Sequence, residues 1–273
     1  MVDVGVESGA DRATPGSGME ITMRETDFIG GFAKGLRVIE AFGEARPRLT
    51  ITDVSKETGL DRATARRCLL TLAELGYAAY DGKFFELTPR ILRLGHAYLS
   101  ATPLARLVQP YLDPLSEKLG QSVSASVLDG VEIVYVARAA QRRVMSISLM
   151  PGSRLPAYCA SMGRVLLAAL PEAEARALIE ASERKPHTPF TKTDPDALMA
   201  ELVLVRERGY ALIDQELELG LRSLAVPLDN VRGRVVAALN IGTSTAHAAA
   251  DDMAGRYLPA MREVQAALRR ILA

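Results

Sequence analysis

The spacing of apolar residues predicts a series of short helices near the start of the chain. Leucine, isoleucine and phenylalanine recur at helical spacing over residues 33–42, which predicts a first helix there. A second helix is predicted over residues 50–59, with Thr50 or Thr52 as its N-terminal cap. The first helix is expected to support the two that follow it.

A third helix is predicted between Asp61, a good cap residue, and Gly76, where the helix stops. Its apolar stripe contains Ala65, Leu69 and Leu72. The residues opposite that stripe are Ala63, Arg66, Arg67 and Glu74. A pair of arginines on a helix face is usually only solvated, so this helix taken alone does not indicate a function.

The order of these helices changes that interpretation. Two short helices joined by a tight turn that contains glycine are typical of the helix-turn-helix motif, whose second helix enters the DNA major groove by its N-terminal residues. The sequence therefore predicts DNA contacts by Thr52, Arg62, Ala63, Thr64, Arg66 and Arg67.

A β-hairpin is predicted directly after the third helix. Two β-prone runs, residues 77–80 and 83–87, flank the dipeptide Asp81-Gly82, a strong signal for a two-residue hairpin turn. Lys83 near its tip is expected to contact a phosphate, which positions a protein on DNA without reading sequence. Helices and hairpin together predict a winged helix-turn-helix domain over residues 27–88.

The remaining residues predict a linker helix and an α+β domain. Residues 89–102 form the linker helix, whose apolar residues, Leu92 and Leu99 among them, are the expected dimer seam. Residues 103–273 begin with a helix over residues 104–119, which prolines are expected to bend or divide. Strands are predicted at 123–128, 131–139, 144–150, 210–214, 221–228 and 234–241, and helices at 159–170, 172–181, 197–208 and 251–272. This order predicts a six-stranded, mostly antiparallel sheet with helices on its faces.

Composition adds limits to this picture. The 273 residues suffice for two domains, and no apolar run is long enough to span a bilayer, so we expect a cytoplasmic protein. Residues 1–26 are polar and small, which indicates a disordered or extra tail and no secretory signal. The net charge is zero, but residues 28–100 hold eleven Lys or Arg against eight Asp or Glu. DNA affinity would then depend on a local basic stripe and on dimerisation.

The sequence offers little for cofactor chemistry. It contains no glycine-rich phosphate loop and no metal-ligand spacing, and it has only three histidines. Cys68 and Cys159 fall in different predicted domains, so a structural disulfide is not expected. We therefore expect no metal and no cofactor.

Two motifs resemble the IclR-type bacterial transcriptional regulators, and the resemblance covers nearly all of residues 28–273. One runs from Arg154 to Ala168 (RLPAYCASMGRVLLA), and the other comprises GYALIDQE followed by GLRSLAVP from Gly220. The family signature often has Cys where Ser223 stands. The wording of both motifs looks most like the branch that regulates aromatic-acid breakdown through the β-ketoadipate pathway, which responds to protocatechuate, β-ketoadipate or 4-hydroxybenzoate.

The resemblance implies a GAF/profilin-like effector-binding domain in a dimer or a dimer of dimers. By resemblance, the pocket positions are Ser161, Met162, Asp214, Ser223, Asn240 and Gly242. Arg154, Tyr158 and Arg222 are added because a small carboxylate favours a charged partner and a hydroxyl. The helix that begins near Cys159 is expected to supply free N–H groups for the acid.

Two alternatives remain open at this point. Cys159 or Ser161 at a helix start could serve as the nucleophile of an enzyme, since that position lowers a thiol pKa. Alternatively, the C-terminal domain could serve only for oligomerisation and bind no ligand. The prediction that we carry forward is a DNA-binding regulator controlled by a small carboxylate effector, without enzymatic activity.

Overall fold

The computed structural model describes residues 27–43, 45–101, 103–141 and 149–272, and they divide into two compact units, of which the first ends in the sequence at Ala101. The predicted tail over residues 1–26 lies outside the described residues. Each unit has its own apolar core.

Three helices form the centre of the N-terminal unit: α1 (Gly30–Glu40), α2 (Ile51–Thr58) and α3 (Arg62–Glu74). Thr50 caps α2, because its hydroxyl accepts from the Asp53 amide while the Asp53 carboxylate accepts from the Thr50 amide. Asp61 caps α3 by accepting from the Thr64 amide at 2.9 Å. Gly59 ends α2 in the left-handed region, with φ +68°, which allows the sharp turn into α3.

A small antiparallel sheet completes this unit, with strand order β1-β3-β2. Its strands are β1 (Arg48–Leu49), β2 (Ala78–Tyr80) and β3 (Phe85–Leu87). The hairpin is confirmed, but its loop has four residues rather than two, because Tyr80 pairs with Phe85. The Asp81 carboxylate accepts from the amides of Lys83 and Phe84 and so closes the longer loop.

The linker helix starts later than the sequence predicts. Residues Pro89–Ile91 form a 3-10 turn, and α4 (Leu92–Ala101) follows it. Proline suits this first turn because it has no N–H to leave unpaired.

The C-terminal unit begins with α5 (Leu104–Leu119), which contains Pro110 and Pro114 and is nevertheless one helix. Of the two outcomes that the sequence left open, a bent or a divided helix, the structure excludes the divided one. Both prolines are exposed, so water can satisfy the carbonyl groups that lose their helical partners. Gly120, with φ +61°, ends the helix.

A six-stranded antiparallel sheet forms the middle of this unit, with strand order β6-β5-β4-β9-β8-β7. The strands are β4 (Ser122–Asp129), β5 (Glu132–Ala139), β6 (Arg154–Pro156), β7 (Ala211–Asp214), β8 (Leu221–Asp229) and β9 (Val235–Ser244). The prediction of a six-stranded α+β domain is confirmed. The strand predicted over residues 144–150 falls mostly outside the described residues, and the sequence did not indicate β6.

Helices cover both faces of this sheet. One face packs against α5 and α9 (Ala250–Arg269), with Leu112, Tyr257 and Met261 in its core. The other face packs against α6 (Ser161–Ala168), α7 (Glu172–Ala181) and α8 (Pro195–Arg208). Among the described residues, no helix is both long and apolar enough to cross a membrane.

The single helix predicted over residues 159–170 is divided. A 3-10 turn at Ala157–Cys159 precedes α6, and Ala160 between them is extended. The two pieces pack closely, because a Cβ on Gly163 would lie 2.2 Å from the Ala157 carbonyl oxygen. The turn therefore folds back onto α6, and it sets where that helix begins.

Candidate functional site

The exposed face of α3 has basic side chains and one small side chain at its N-terminal end. Arg62, Ala63, Arg66 and Arg67 are exposed there, whereas Ala65 and Leu69 are fully buried. The Thr64 hydroxyl and amide hold the pKa of the capping Asp61 below its usual range. The carboxylate therefore remains charged at the positive end of the helix, and the first turn of α3 is firmly ordered.

Thr64 is a correction to the predicted DNA contacts. Its side chain is 8% exposed, and its hydroxyl accepts a hydrogen bond from Arg67 Nη2 at 3.2 Å. A side chain in that position is not available to a base or a phosphate. Thr52, near the start of α2, is exposed, as the prediction requires.

The hairpin presents a cluster of cations around one aromatic ring. Lys83 Nζ and the Arg48 guanidinium each lie 5.0 Å from the centre of the Phe84 ring. Arg48 also pairs with Asp81 and reaches the loop from β1. Lys83 is exposed, and its ammonium group pairs with no carboxylate among the described residues.

A cavity lies between α6 and the central strands of the C-terminal sheet. Its lining combines apolar side chains with a few polar groups: Ser122, Ile133, Tyr135, Arg138, Leu149, Leu155, Cys159, Ala160, Ser161, Met162, Leu217, Leu221, Ser223, Asn240 and Gly242. Its free volume is about 30 Å³, whereas a cavity of roughly 150 Å³ accepts benzene. An aromatic ring could therefore enter only if lining side chains move.

Three adjacent strands place a row of polar residues on the cavity side of the sheet. Arg138 on β5 pairs in register with Ser124 on β4, which pairs with Asn240 on β9. Residues paired in this way point to the same face. Arg138 Nη1 donates to Ser124 Oγ at 2.9 Å, so the guanidinium is held above the sheet.

Ser161 stands where the cavity meets the first turn of α6. Its hydroxyl is buried and has no hydrogen-bond partner among the described residues, and the residue is 2% exposed. The free N–H groups and the positive end of the helix dipole lie at the same place. A buried hydroxyl without a partner is costly, so this position favours a polar ligand group or water.

Burial changes the ionisation of the groups beside the cavity. Burial raises the pKa of Tyr135 to about 12, although the charge of Arg138 opposes that shift. Burial also lowers the pKa of Arg138, whereas Tyr135 acts in the opposite direction. At neutral pH the site therefore contains a neutral phenol beside a cationic guanidinium.

Five predicted pocket residues do line this cavity: Ser161, Met162, Ser223, Asn240 and Gly242. The other four, Arg154, Tyr158, Asp214 and Arg222, are not among its described lining residues. Arg154 pairs with Asp129 and Glu132 at the sheet edge, because the β4–β5 turn brings both carboxylates to it.

Tyr158, Asp214 and Arg222 are likewise engaged elsewhere. Tyr158 is buried, and its hydroxyl donates to the Lys185 carbonyl at 2.6 Å. Asp214 and Arg222 stand opposite each other on β7 and β8 and form an ion pair of 2.7 Å. Arg222 also donates to the carbonyl groups of Thr245 and Ala248. These contacts correct the predicted effector roles of all three residues.

The enzyme alternative finds no support in this geometry. Burial raises the pKa of Cys159 to about 12, so its thiol is neutral near pH 7, which is the opposite of what a nucleophile requires. The Ser161 hydroxyl has no hydrogen-bonded base among the described residues.

Sequence reasoning missed Arg138, Tyr135 and Ser122 as cavity residues. The available signal was on β4, where serines at 122, 124 and 126 alternate with Val123 and Ala125. Such alternation indicates one polar and one apolar face. On a strand in the middle of a sheet covered on both sides, the polar face must line an internal site.

A winged helix-turn-helix unit joined to a cavity-bearing α+β unit defines a class of protein, the two-unit transcriptional regulators. The model of the IclR helix-turn-helix domain matches residues 32–82, and the model described as the bacterial transcriptional regulator IclR C-terminal domain matches residues 96–270. The chain belongs to the IclR family of transcriptional regulators.

Relatives in this family include regulators of aromatic-acid catabolism. The Pca regulon regulatory protein of Pseudomonas putida is 44% identical over 248 residues, which cover 90% of this chain and 85% of the relative. The p-hydroxybenzoate hydroxylase transcriptional activator of Acinetobacter baylyi is 38% identical and covers 95% of this chain and 97% of its own length.

A solved structure from Acinetobacter matches the C-terminal unit. It is the inducer-binding domain of a double mutant of the PobR transcription factor in complex with 3-hydroxybenzoic acid. The two sequences are 34% identical, and the match covers 62% of this chain and 98% of the solved domain, with a TM-score of 0.58.

Proposed function

We propose that this regulator binds operator DNA through α3 and the hairpin, and that a small organic acid in the cavity controls it. The observation that carries the sensing role is the buried Ser161 hydroxyl, which has no partner in the part of the chain that the structure describes and lines a cavity at a helix N-terminus. An aromatic or β-keto acid as the effector is supported by the similarity to a Pca regulon regulatory protein and to an inducer-binding domain solved in complex with 3-hydroxybenzoic acid.

The DNA-binding role depends on the exposed basic turn of α3. Arg62 and Arg66 project from the end of the helix that enters the major groove in this motif, and Ala63 between them leaves space for a base edge. Arg67, Thr52 and Lys83 are positioned for phosphates. A partner of this kind implies that the protein acts in the cytoplasm.

The protein is proposed to bind DNA as a homodimer. On α4 the apolar side chains of Leu92, Leu94 and Tyr98 are 70%, 48% and 48% exposed. An apolar helix face of this kind favours burial against a second copy. A dimer places two recognition helices at a fixed spacing on a palindromic operator, and further contacts between C-terminal units would give a dimer of dimers.

Effector binding is expected to act by a shift in populations. The cavity is smaller than an aromatic ring, so the bound state must differ from the free state in the placement of lining side chains such as Leu217. A ligand shifts an equilibrium only if it binds one state more tightly. The cavity is therefore the point at which occupancy can change the relation between two recognition helices.

The DNA role is tested by single alanine substitutions and salt titration. Arg62→Ala and Arg66→Ala should each weaken operator binding by about 1–3 kcal/mol, while effector binding remains. Arg232→Ala, at an exposed arginine of the C-terminal unit, is the matched control and should not change operator affinity. Operator affinity that survives the loss of both Arg62 and Arg66 would contradict this interface.

The sensing role is tested by a thermal-shift screen of aromatic and β-keto acids, followed by operator binding with and without the hit. An acid at one hundred times its dissociation constant stabilises the native state by about 2.7 kcal/mol. Ser161→Trp should fill the cavity and abolish the shift. Intact operator binding with no response to any acid of the panel would instead favour a C-terminal unit that only oligomerises.

A further inference from the structure

An open groove lies between α1 and α3 in the N-terminal unit. Its free volume is about 340 Å³, against about 30 Å³ for the C-terminal cavity, and it falls in the size range of binding sites. Two glycines of α1 leave it open, because a Cβ on Gly31 or Gly35 would meet nothing within 4 Å. The described residues that line it are Gly31, Lys34, Gly35, Thr64, Arg67, Cys68, Thr71 and Leu72.

The groove combines apolar surface with two cationic side chains. The partly exposed Cys68 and the buried Leu72 contribute apolar surface from α3. Lys34 and Arg67 are exposed, and neither pairs with a carboxylate among the described residues; Arg67 instead donates to the Thr64 hydroxyl. No carboxylate is among the described lining residues. A complementary occupant therefore has apolar side chains and negative charge.

The chain has a segment of this chemistry directly before α1. In the sequence MEITMRE, Met19, Ile21 and Met23 alternate with polar residues, so in an extended conformation the three apolar side chains share one face. The segment also contains Glu20 and Glu25, and the whole N-terminal tail has five carboxylates against two arginines. Its composition is therefore complementary to that of the groove.

The segment is close enough to reach the groove of its own chain. Four residues separate Glu25 from Gly30, the first residue of α1. Gly31 and Gly35 lie in the first two turns of α1, about 6 Å apart along the helix axis, whereas an extended run of seven residues spans roughly 23 Å. Tethering also gives the segment an effective concentration in the millimolar range, so even a weak contact is populated.

We infer that residues 19–25 occupy the groove between α1 and α3 of their own chain and compete there with operator DNA. The three apolar side chains fill the space beside Gly31 and Gly35, and the glutamates lie near Lys34 and Arg67. Because Arg67 is also a proposed phosphate contact, a carboxylate beside it competes with the phosphate. This inference goes beyond the proposed function, since it adds an internal competitor to the DNA-binding unit.

Disulfide trapping tests the contact itself. A disulfide requires Cα atoms within about 7 Å of each other, so it reports direct approach. In full-length Ile21→Cys, oxidation with copper phenanthroline should join the new thiol to Cys68 within one chain, as a non-reducing gel and peptide mass spectrometry would show. Ala13→Cys, in the same tail but outside the segment, is the matched control and should cross-link about 10-fold more slowly.

A second measurement tests the competition with DNA. The full-length triple variant Met19→Ser, Ile21→Ser, Met23→Ser removes the apolar face of the segment. Its operator affinity should rise by about 2- to 10-fold, because a site that is accessible for only part of the time binds more weakly by that fraction. The rate at which iodoacetamide alkylates Cys68 should rise by a similar factor, since the groove is then open.

The control and the contrary outcomes separate the possibilities. The triple variant Val2→Ser, Val4→Ser, Val6→Ser alters a similar alternating run farther from α1 and should change neither quantity. The inference is overturned if serines in the segment change neither quantity, or if Ala13→Cys cross-links as readily as Ile21→Cys. A cross-link between two chains would assign the groove to a second copy and would also overturn it. Intrachain cross-linking in a protein that binds no operator would instead contradict the proposed function and leave the contact established.

Discussion

Arg164 on α6 and Glu216 in the loop after β7 form a two-pronged ion pair inside the C-terminal unit. Nη1 lies 2.8 Å from Oε1, Nη2 lies 2.6 Å from Oε2, and the side chains are 1% and 6% exposed. Arg164 Nε also donates to the Tyr158 carbonyl, and Glu216 Oε2 accepts from the Lys192 amide. The pair therefore connects α6, the turn before it and two loops.

Removing one partner of this pair should strongly destabilise the C-terminal unit. Arg164→Met leaves the Glu216 carboxylate buried without its counter-charge, which costs about 3–5 kcal/mol in comparable buried pairs. Urea denaturation monitored by circular dichroism measures this loss. The control is Arg176→Ala, which removes an exposed ion pair with Asp196. It should lower the free energy of unfolding by no more than about 1 kcal/mol. Similar losses for both variants would show that the buried pair is not special.

Gly163 should not tolerate any side chain. A Cβ there would lie 2.2 Å from the Ala157 carbonyl oxygen, so Gly163→Ala must push the 3-10 turn away from α6. We expect a loss of about 1–3 kcal/mol in the free energy of unfolding, together with weaker effector binding.

Gly255→Ala is the matched control for that substitution. Gly255 lies in the exposed face of α9, and a Cβ there meets nothing within 4 Å. Alanine should therefore stabilise the helix by roughly 0.5–1 kcal/mol. Thermal melts of the two variants should move in opposite directions, and a shared direction would contradict the close approach at Gly163.

The two cysteines should differ in reactivity. Burial raises the pKa of Cys159 to about 12, and the residue is fully buried, whereas Cys68 is partly exposed on α3. Alkylation of the native protein with iodoacetamide at pH 8, followed by mass spectrometry of peptides, should therefore modify Cys68 first. Rapid modification of Cys159 in the native state would restore a nucleophilic role for that residue.

Glu201 should make the stability of the C-terminal unit depend on pH under acidic conditions. Burial alone would raise its pKa, but the hydrogen bond and charge of Lys192 and the charges of Arg164 and Arg208 outweigh burial and lower it below 4.5. Because the folded pKa is the lower one, the stabilisation is present above the unfolded pKa and disappears as the pH falls through the folded value.

The measurement is a series of urea denaturations between pH 3 and pH 7. Glu201→Gln should flatten the fall in stability below about pH 4.5 relative to the wild type. Glu207→Gln, at an exposed carboxylate of the same helix, serves as the control and should leave the profile unchanged. An unchanged profile in Glu201→Gln would show that the ion pairs of Glu201 do not favour its charged form.

Local chemistry explains which parts of the fold were predictable. Asp61 and Gly59 fix the boundary between α2 and α3 by capping and by a left-handed turn, and both signals are visible within a few residues. The loop of the hairpin was predicted too short because its length depends on the pairing of Tyr80 with Phe85, which no local signal determines. The division before α6 depends on the close approach of Gly163 to the Ala157 backbone, six positions earlier in the chain.

The sequence marks the cavity in two places, at the motifs and along the alternating serines of β4. Ser161, Ser223 and Asn240 follow from the resemblance, whereas Arg154 and Arg222 were chosen for their charge. Whether an arginine faces a ligand or a neighbouring carboxylate depends on strand register, which brings Asp214 opposite Arg222. In the same way, the register of β4 and β5 brings Arg138 beside Ser124, which is more than ten positions away in sequence.

The residues of strand β9 face the cavity and the core in turn. Asn240 and Gly242 line the cavity, while Leu239 and Ile241, which alternate with them, belong to the core on the opposite side of the sheet. Residues that line the cavity and residues that pack in the core therefore alternate along the same strand. Substitutions at Asn240 and Gly242 alone could therefore change which acid is bound while the core packing of Leu239 and Ile241 is preserved.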